Sequence, residues 1–139
     1  MKISFMSQDK AETIIPDPNT ALISIIGTDG WRKLKPGWEQ ILKLTFDDIE
    51  EKTEDYILFN KQHALAILDF IQKLPPEIDH IIIHCWAGVS RSGAVAKFLC
   101  EYYQTSDFPK DYDRFNIRVY EILKKTSKTH KAVEKCTKK

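Results

Sequence analysis

Apolar positions along the chain fall into short continuous runs that have the length of β-strands. KISFM near the start and ALISIIG, from Ala21 to Gly27, are two of them. ILKLTF alternates instead, with Leu42, Leu44 and Phe46 on one face, and it stops at a pair of aspartates. HIIIHC is apolar almost throughout, which is typical of a strand in the middle of a parallel sheet. We therefore predict four strands.

Helical periodicity separates and follows these runs. A short helix is predicted after Ser7, and a longer one from about Asn60 to Leu74, before the Pro75-Pro76 pair. SGAVAKFLCEYY reads as a helix after HIIIHC. A last helix is predicted from about Asp113, with these apolar residues on one face: Phe115, Val119, Ile122 and Leu123. Strands that alternate with helices predict an α/β fold, with a central, mostly parallel sheet flanked by helices.

Composition places this fold in a soluble protein. The 139 residues, 42% hydrophobic and 29% charged, suit a single globular domain spanning residues 1–139, with a lysine-rich end at about 127–139 expected to be frayed. A net charge of +1 gives no support to nucleic-acid binding. Neither a signal peptide nor an apolar run of about 18 residues is visible, so no membrane association is expected.

The cysteines point to a reducing compartment. There are three, Cys85, Cys100 and Cys136, which is an odd number, and they lack the paired spacing of a metal site. Free thiols persist in the cytoplasm, so we expect a cytoplasmic protein. The four histidines are scattered along the sequence, and we expect neither a metal nor another cofactor.

The stretch IIIHCWAGVSRSG carries the strongest chemical signal. An apolar strand ends on His84 and Cys85, small residues follow, and Arg91 comes six positions after the cysteine. Ligands of parallel α/β folds bind beyond the carboxyl ends of the strands. A curled loop of small residues can turn its N–H groups inward as an anion site, at the positive end of the next helix. Such a field favours the thiolate of Cys85, and the planar guanidinium of Arg91 suits two phosphate oxygens. The segment predicts a phosphate cradle with a nucleophile.

These residues resemble a known family. HCWAGVSRSG is similar to the signature loop of the cysteine-based protein phosphatases, His-Cys-five residues-Arg-Ser/Thr, and most similar to the dual-specificity branch. The resemblance implies a protein tyrosine phosphatase-like fold and a phosphorylated protein or peptide as the substrate. It also implies a two-step reaction, in which Cys85 attacks an aryl phosphate and water then hydrolyses the phosphocysteine.

The resemblance assigns roles around the nucleophile. Arg91 and the loop amides would hold the phosphate, and Ser92 would hydrogen-bond the sulfur and help it leave. His84 would orient the loop, although it could equally be a buried imidazole at a strand end. The phosphate-binding residues implied are Trp86, Ala87, Gly88, Val89, Ser90 and Arg91.

The reaction also needs an acid for the leaving oxygen, whose pKa in tyrosine is near 10. The family places an aspartate in a loop after a strand, and LTFDDIEEKTEDY offers three candidates. Asp48 fits the layout best, with Asp47 and Asp55 as alternatives. Asn116 resembles the family asparagine near the last helix whose side chain braces the signature loop, although Phe115 stands where the family has proline.

Other residues keep two interpretations. Trp86 either walls the substrate pocket or packs structurally. Trp31 and Trp38 either flank the entrance or anchor their loop in the core, and core anchoring is preferred. Cys100 is expected to be a small core residue, with a redox partnership to Cys85 as the alternative.

The neutral loop letters WAGVS disfavour a lipid headgroup as the substrate, since lipid-directed relatives carry lysines there. Two other functions stay open from the sequence. One is a sulfurtransferase or an enzyme like arsenate reductase, and the other is a phosphate-binding module without catalysis. A deep cleft would admit phosphotyrosine alone, whereas a shallow cleft would also admit phosphoserine and phosphothreonine.

Overall fold

The computed structural model describes residues 1–28 and 30–137, with side chains up to residue 130. The strands are β1 (Lys2–Ser7), β2 (Thr20–Ile26), β3 (Ile41–Thr45) and β4 (His80–Cys85). They form one all-parallel sheet in the order β1-β4-β2-β3. The helices of the described chain are α1 (Gln8–Ala11), α2 (Lys61–Gln72), α3 (Arg91–Tyr103) and α4 (Ile117–Thr137). The predicted α/β fold with a central parallel sheet is confirmed.

The two central strands are the most buried. Ile81 and Ile83 of β4 and Ile23 and Ile25 of β2 are fully buried, as expected for strands covered on both sides. The edge strands β1 and β3 are only partly buried. Helix α3 packs on β1 and β4, α2 packs on β3, and α4 packs on both of these helices. The apolar run HIIIHC therefore forms the centre of the sheet.

Helix boundaries follow local capping groups. The side chain of Asn60 accepts hydrogen bonds from the amides of Gln62 and His63, so α2 begins where the sequence predicted. The last helix begins at Ile117, four residues after the predicted Asp113. The reason is that the Asn116 side chain accepts a hydrogen bond from the amide of Val119 at 3.1 Å, which is an N-cap geometry.

The parallel arrangement brings several loops to one edge of the sheet. All four strands end there, and each is followed by a different segment: α1 after β1, the loop of residues 27–40 after β2, the loop of residues 46–60 after β3, and the signature loop after β4. Residues far apart in the sequence therefore meet at this edge.

The lysine-rich end of the chain belongs to α4 as far as Thr137. The expected fraying of the lysine-rich end concerns residues 127–139, and the side chains of residues 131–139 lie outside the described part of the chain. Among the described residues, no helix has both the length and the apolar character needed to cross a bilayer.

Candidate active site

Cys85 is the last residue of β4 and lies beneath the signature loop, with 2% of its surface exposed. Its Sγ atom is 3.1 Å from the hydroxyl oxygen of Ser92. The amide N–H of Ser92 also donates to Sγ, at 3.4 Å. Ser92 is fully buried in the first turn of α3. The sulfur therefore sits at the N-terminus of a 13-residue helix, where the helix dipole stabilises negative charge.

The signature loop turns its carbonyl groups outward. Three of them accept hydrogen bonds from the surrounding scaffold: Trp86 O from the Gln8 amide at 3.2 Å, Val89 O from the Tyr112 hydroxyl at 2.6 Å, and Ser90 O from the Asn116 amide at 3.0 Å. By contrast, the amides from Ala87 to Ser90 donate to no acceptor among the described residues. A loop with bound carbonyls and unengaged amides has the properties of an anion nest.

Gly88 explains how this loop can lie so close to the rest of the sheet. Its φ angle is +71°, and a Cβ atom at this position would lie 2.2 Å from the backbone nitrogen of Ser7. The carbonyl carbon of Met6 would be only 2.3 Å away. The conformation disfavours a side chain, and the contact with the backbone excludes one. The loop therefore packs directly against the end of β1.

Arg91 and Trp86 line a cleft of about 550 Å³ beside the loop. The guanidinium of Arg91 donates to the carbonyl oxygen of Phe46 at 3.0 Å. Aromatic side chains form part of the cleft: Trp31 is 64% exposed and Trp86 is 69% exposed, and Tyr56 is also exposed. The cleft therefore combines a guanidinium with aromatic surface.

The preferred core role is wrong for Trp31. Its carbonyl accepts a hydrogen bond from Gln8 Nε2 at 2.7 Å, and its indole lines the cleft instead of the core. Trp38, in the same loop, is partly buried. Sequence could not separate the two because both tryptophans lie in one irregular segment.

Asp48 lies beside the signature loop, on the segment that follows β3. Its Oδ1 atom accepts hydrogen bonds from the Ser90 hydroxyl at 2.8 Å and from Asn116 Nδ2 at 2.9 Å. Its Oδ2 atom has no hydrogen-bond partner among the described residues. The residue is exposed and lines the same cleft as Arg91. The carboxyl group is thus held by one oxygen and accessible at the other.

The other two aspartates are placed differently. Asp47 is buried, and both of its oxygens bind backbone amides: Oδ1 accepts from Thr28 at 3.0 Å and Oδ2 from Ile57 at 2.7 Å. Asp47 therefore ties the ends of two loops together. Asp55 lies in an exposed turn with a φ angle of +67° and does not line the cleft.

Asn116 joins the acid segment to the signature loop. Its backbone amide donates to Ser90 O, whereas its side chain donates to Asp48 and, at 3.2 Å, to the carbonyl of Ile49. The side chain braces the segment that carries Asp48, and the hydrogen bond to the signature loop comes from the backbone amide.

His84 belongs to a buried polar network that the sequence did not indicate. Ser24 lies directly opposite His84 in the β2–β4 register, and its hydroxyl oxygen is 2.6 Å from His84 Nε2. Arg32 donates from Nε to the same hydroxyl at 2.8 Å. The sequence signal for this network was a serine, Ser24, within the apolar run ALISIIG. The hydrogen-bond partners of Ser24, however, follow only from strand order and register.

Burial lowers the pKa of His84 to about 4, and the backbone of Cys85, which favours the charged ring, offsets this only in part. The folded protein therefore keeps His84 neutral, while the unfolded chain binds a proton below pH 6.5.

We therefore expect the stability of the protein to fall as the pH drops from about 6.5 to 4, with His84 contributing about 3 kcal/mol over this range. Urea unfolding of the wild type and His84→Gln at several pH values measures this contribution. The variant should show a shallower pH dependence in that window. His80→Gln is the comparison. Burial also lowers the pKa of His80, but this residue is only partly buried, so its replacement should flatten the pH dependence less than His84→Gln does. Identical pH dependence in wild type and His84→Gln would contradict the expectation.

Cys100 lies away from this centre. It is free and buried in α3, eight residues after Ser92, which corresponds to about 12 Å along the helix. A disulfide needs Cα atoms within about 7 Å, so the geometry supports the core role rather than direct pairing with Cys85. Within the part of the chain that the structure describes, no three histidine, cysteine or carboxylate groups are placed to hold a metal ion.

No protein-family model and no curated protein sequence matches this chain. Among solved structures, the chain is similar to the crystal structure of Tk-PTP in the active form, with 15% sequence identity and a TM-score of 0.52. The similarity covers 92% of each chain. At this level of identity it concerns the fold alone. The chain has a PTP-like fold, as the signature loop implied.

Proposed function

We propose that the protein is a protein phosphatase that hydrolyses phosphotyrosine through a phosphocysteine intermediate. The observation that carries this proposal is the arrangement around Cys85. The thiol lies at a helix N-terminus, below a loop whose amides are unengaged, with Arg91 in the adjoining cleft. A binding module would need the amides and the arginine, but it would have no use for the thiol.

The proposed reaction has two steps. In the first, the Cys85 thiolate attacks phosphorus, the bond to the phenolic oxygen breaks, and Asp48 gives its proton to that oxygen. In the second, water attacks the phosphocysteine, its proton passes to the Asp48 carboxylate, and the thiolate leaves. The Ser92 hydroxyl, 3.1 Å from Sγ, would stabilise that thiolate. Arg91 and the loop amides would hold the charge on the transferring oxygens, without a metal or other cofactor.

The cleft favours an aromatic substrate. Trp31, Trp86 and Tyr56 expose aromatic surface in the same cavity as Arg91, and aromatic rings pack well against such surfaces. A phosphotyrosine side chain would place its ring against the aromatic side chains and its phosphate against Arg91. Phosphoserine offers only the phosphate, so we expect slower turnover for it.

The direct test compares two peptides of one sequence, one with phosphotyrosine and one with phosphoserine. The wild type should release phosphate from the phosphotyrosine peptide faster than from the phosphoserine peptide. Absence of phosphate release from both would overturn the proposal, and equal rates would extend the activity to dual specificity. Formation of a persulfide on Cys85 with thiosulfate, without phosphatase activity, would indicate a sulfurtransferase instead.

A further inference from the structure

Arg32 turns inward, although its neighbours Trp31 and Lys33 are exposed. Its guanidinium makes three hydrogen bonds to the sheet: Nε to the Ser24 hydroxyl at 2.8 Å, and Nη2 to the carbonyl oxygens of Ser24 at 2.9 Å and Leu44 at 2.8 Å. It forms no ion pair with a described carboxylate. Arg32 also does not line the cleft, so its contacts do not serve substrate binding directly.

The hydroxyl of Ser24 relays the effect of Arg32 to His84. A hydroxyl group has one proton to donate and can accept two hydrogen bonds, whereas a guanidinium can only donate. Ser24 therefore accepts from Arg32, and its own proton remains for His84 Nε2, 2.6 Å away. Ser24 is fully buried, and no other acceptor for this proton is found among the described residues. Nδ1 of His84 is buried and has no hydrogen-bond partner among the described residues. A proton on Nδ1 leaves only that N–H unpaired, whereas a proton on Nε2 would leave both Nδ1 and the Ser24 hydroxyl proton unpaired, so the geometry favours Nε2 as the acceptor.

Charges around His84 favour the same neutral form. Arg32, from the loop after β2, and Arg91, at the start of α3, both oppose a positive imidazole. Glu12, after α1, and the backbone of Cys85 act in the other direction. Burial is the dominant influence, and it too disfavours the charged ring.

We propose that Arg32 is a positioning residue that, through Ser24, holds His84 in the neutral Nδ1–H tautomer and so fixes the end of β4 that carries Cys85. The kinetic consequence of this proposal rests on the proposed function. His84 and Cys85 are consecutive residues, so a change in the orientation of the ring changes the backbone that aims the sulfur. Without Arg32, the Ser24 hydroxyl oxygen could accept a hydrogen bond from an Nε2–H group, and His84 would lose its fixed tautomer.

The test has a readout on His84 itself. Two-bond ¹H–¹⁵N correlation spectra of the imidazole distinguish the two neutral tautomers, and the wild type at pH 7 should show Nδ1–H. Arg32→Gln and Ser24→Ala should each give a mixture of tautomers. Ser24→Ala leaves both carbonyl contacts of Arg32 in place, so it tests the relay even if Arg32→Gln fails to fold. Arg32→Lys should restore the wild-type pattern in part, because it keeps a charge and a donor.

Kinetics provide the second readout. We expect Arg32→Gln to lower kcat for a phosphotyrosine peptide about 10- to 100-fold, the size of effect that misplaced reacting atoms produce, with little change in KM. The acid limb of the pH–rate profile of Arg32→Gln should also shift, because His84 becomes easier to protonate when the charge of Arg32 is removed. Lys35→Gln removes one positive charge from the same loop at an exposed position and should behave like the wild type.

Two results would overturn the proposal: an Nε2–H tautomer in the wild type, or an unchanged Nδ1–H pattern in both Arg32→Gln and Ser24→Ala. A lower melting temperature with an unchanged tautomer would mean that Arg32 only stabilises the sheet. If the wild type releases no phosphate at all, the proposed function fails, while the spectra still decide the tautomer. The two proposals can therefore fail separately.

Discussion

Replacement of Cys85 by serine should reduce phosphotyrosine hydrolysis by on the order of 10⁴-fold or more, because a neutral hydroxyl is a poor nucleophile at phosphorus. Binding should survive, since Arg91 and the amides of the signature loop do not depend on the sulfur. Steady-state rates and titration of the variant with a fluorescent phosphotyrosine peptide measure the two quantities separately. We expect a Kd close to the KM of the wild type or lower.

Cys100→Ser is the matched control for this experiment. It replaces a thiol of the same kind that lies buried farther along α3, away from the signature loop. Its activity should remain near that of the wild type. Residual turnover of even a few per cent in Cys85→Ser would remove Cys85 from its proposed role. Loss of activity in Cys100→Ser, with the fold intact, would instead revive a mechanism that uses two thiols.

Asp48→Asn should slow hydrolysis of phosphotyrosine by about 10²- to 10⁴-fold, the usual contribution of a positioned acid. The substitution tests proton donation separately from the hydrogen bonds that the Asp48 side chain accepts. An asparagine oxygen can still accept the hydrogen bonds that Oδ1 receives from Ser90 and Asn116. The loss should shrink for aryl phosphates whose leaving groups have low pKa values, because these depart without a proton. The alkaline limb of the pH–rate profile should flatten.

Asp47→Asn and Asp55→Asn are the controls on the same segment. Asp47 accepts backbone hydrogen bonds through both oxygens, so its amide variant loses an acceptor and should be less stable, without a leaving-group dependence. Asp55 is exposed with a positive φ angle, which asparagine tolerates, and its variant should resemble the wild type. A leaving-group dependence in either control, but not in Asp48→Asn, would move the acid to that residue.

The sequence predicted the parts of the structure that depend on local patterns. Apolar runs identified the strands, and the unbroken run from Ile81 to Ile83 identified the centre of the sheet, because only a strand covered on both faces tolerates such a run. The spacing of Cys85 and Arg91 identified the loop between strand and helix. Each of these signals lies within about ten residues of sequence, so it depends on local chain geometry and not on the order of the strands.

Contacts that depend on strand order could not be predicted in this way. Ser24 meets His84 only because β2 and β4 are adjacent with a particular register, across 60 positions of sequence. Arg32 points inward and Trp31 outward within an irregular loop, where no periodicity distinguishes consecutive residues. The apolar spacing predicts the start of α4 too early because it continues through Phe115. The side chain of Asn116, which caps the helix, determines where α4 begins.

The position of β4 in the sheet has a consequence for how the chain acquires its site. This strand is inserted between β1 and β2, which both precede it in the sequence by more than 50 residues. Until residues 80–85 are available, β1 has no partner in the sheet, and the end of β1 is not held in the position where it contacts Gly88. The site therefore depends on contacts that are long-range in sequence, and such contacts slow folding. A ribosome-bound chain that ends before β4 would leave the facing edges of β1 and β2 unpaired, and such edges are sites of chaperone binding and aggregation.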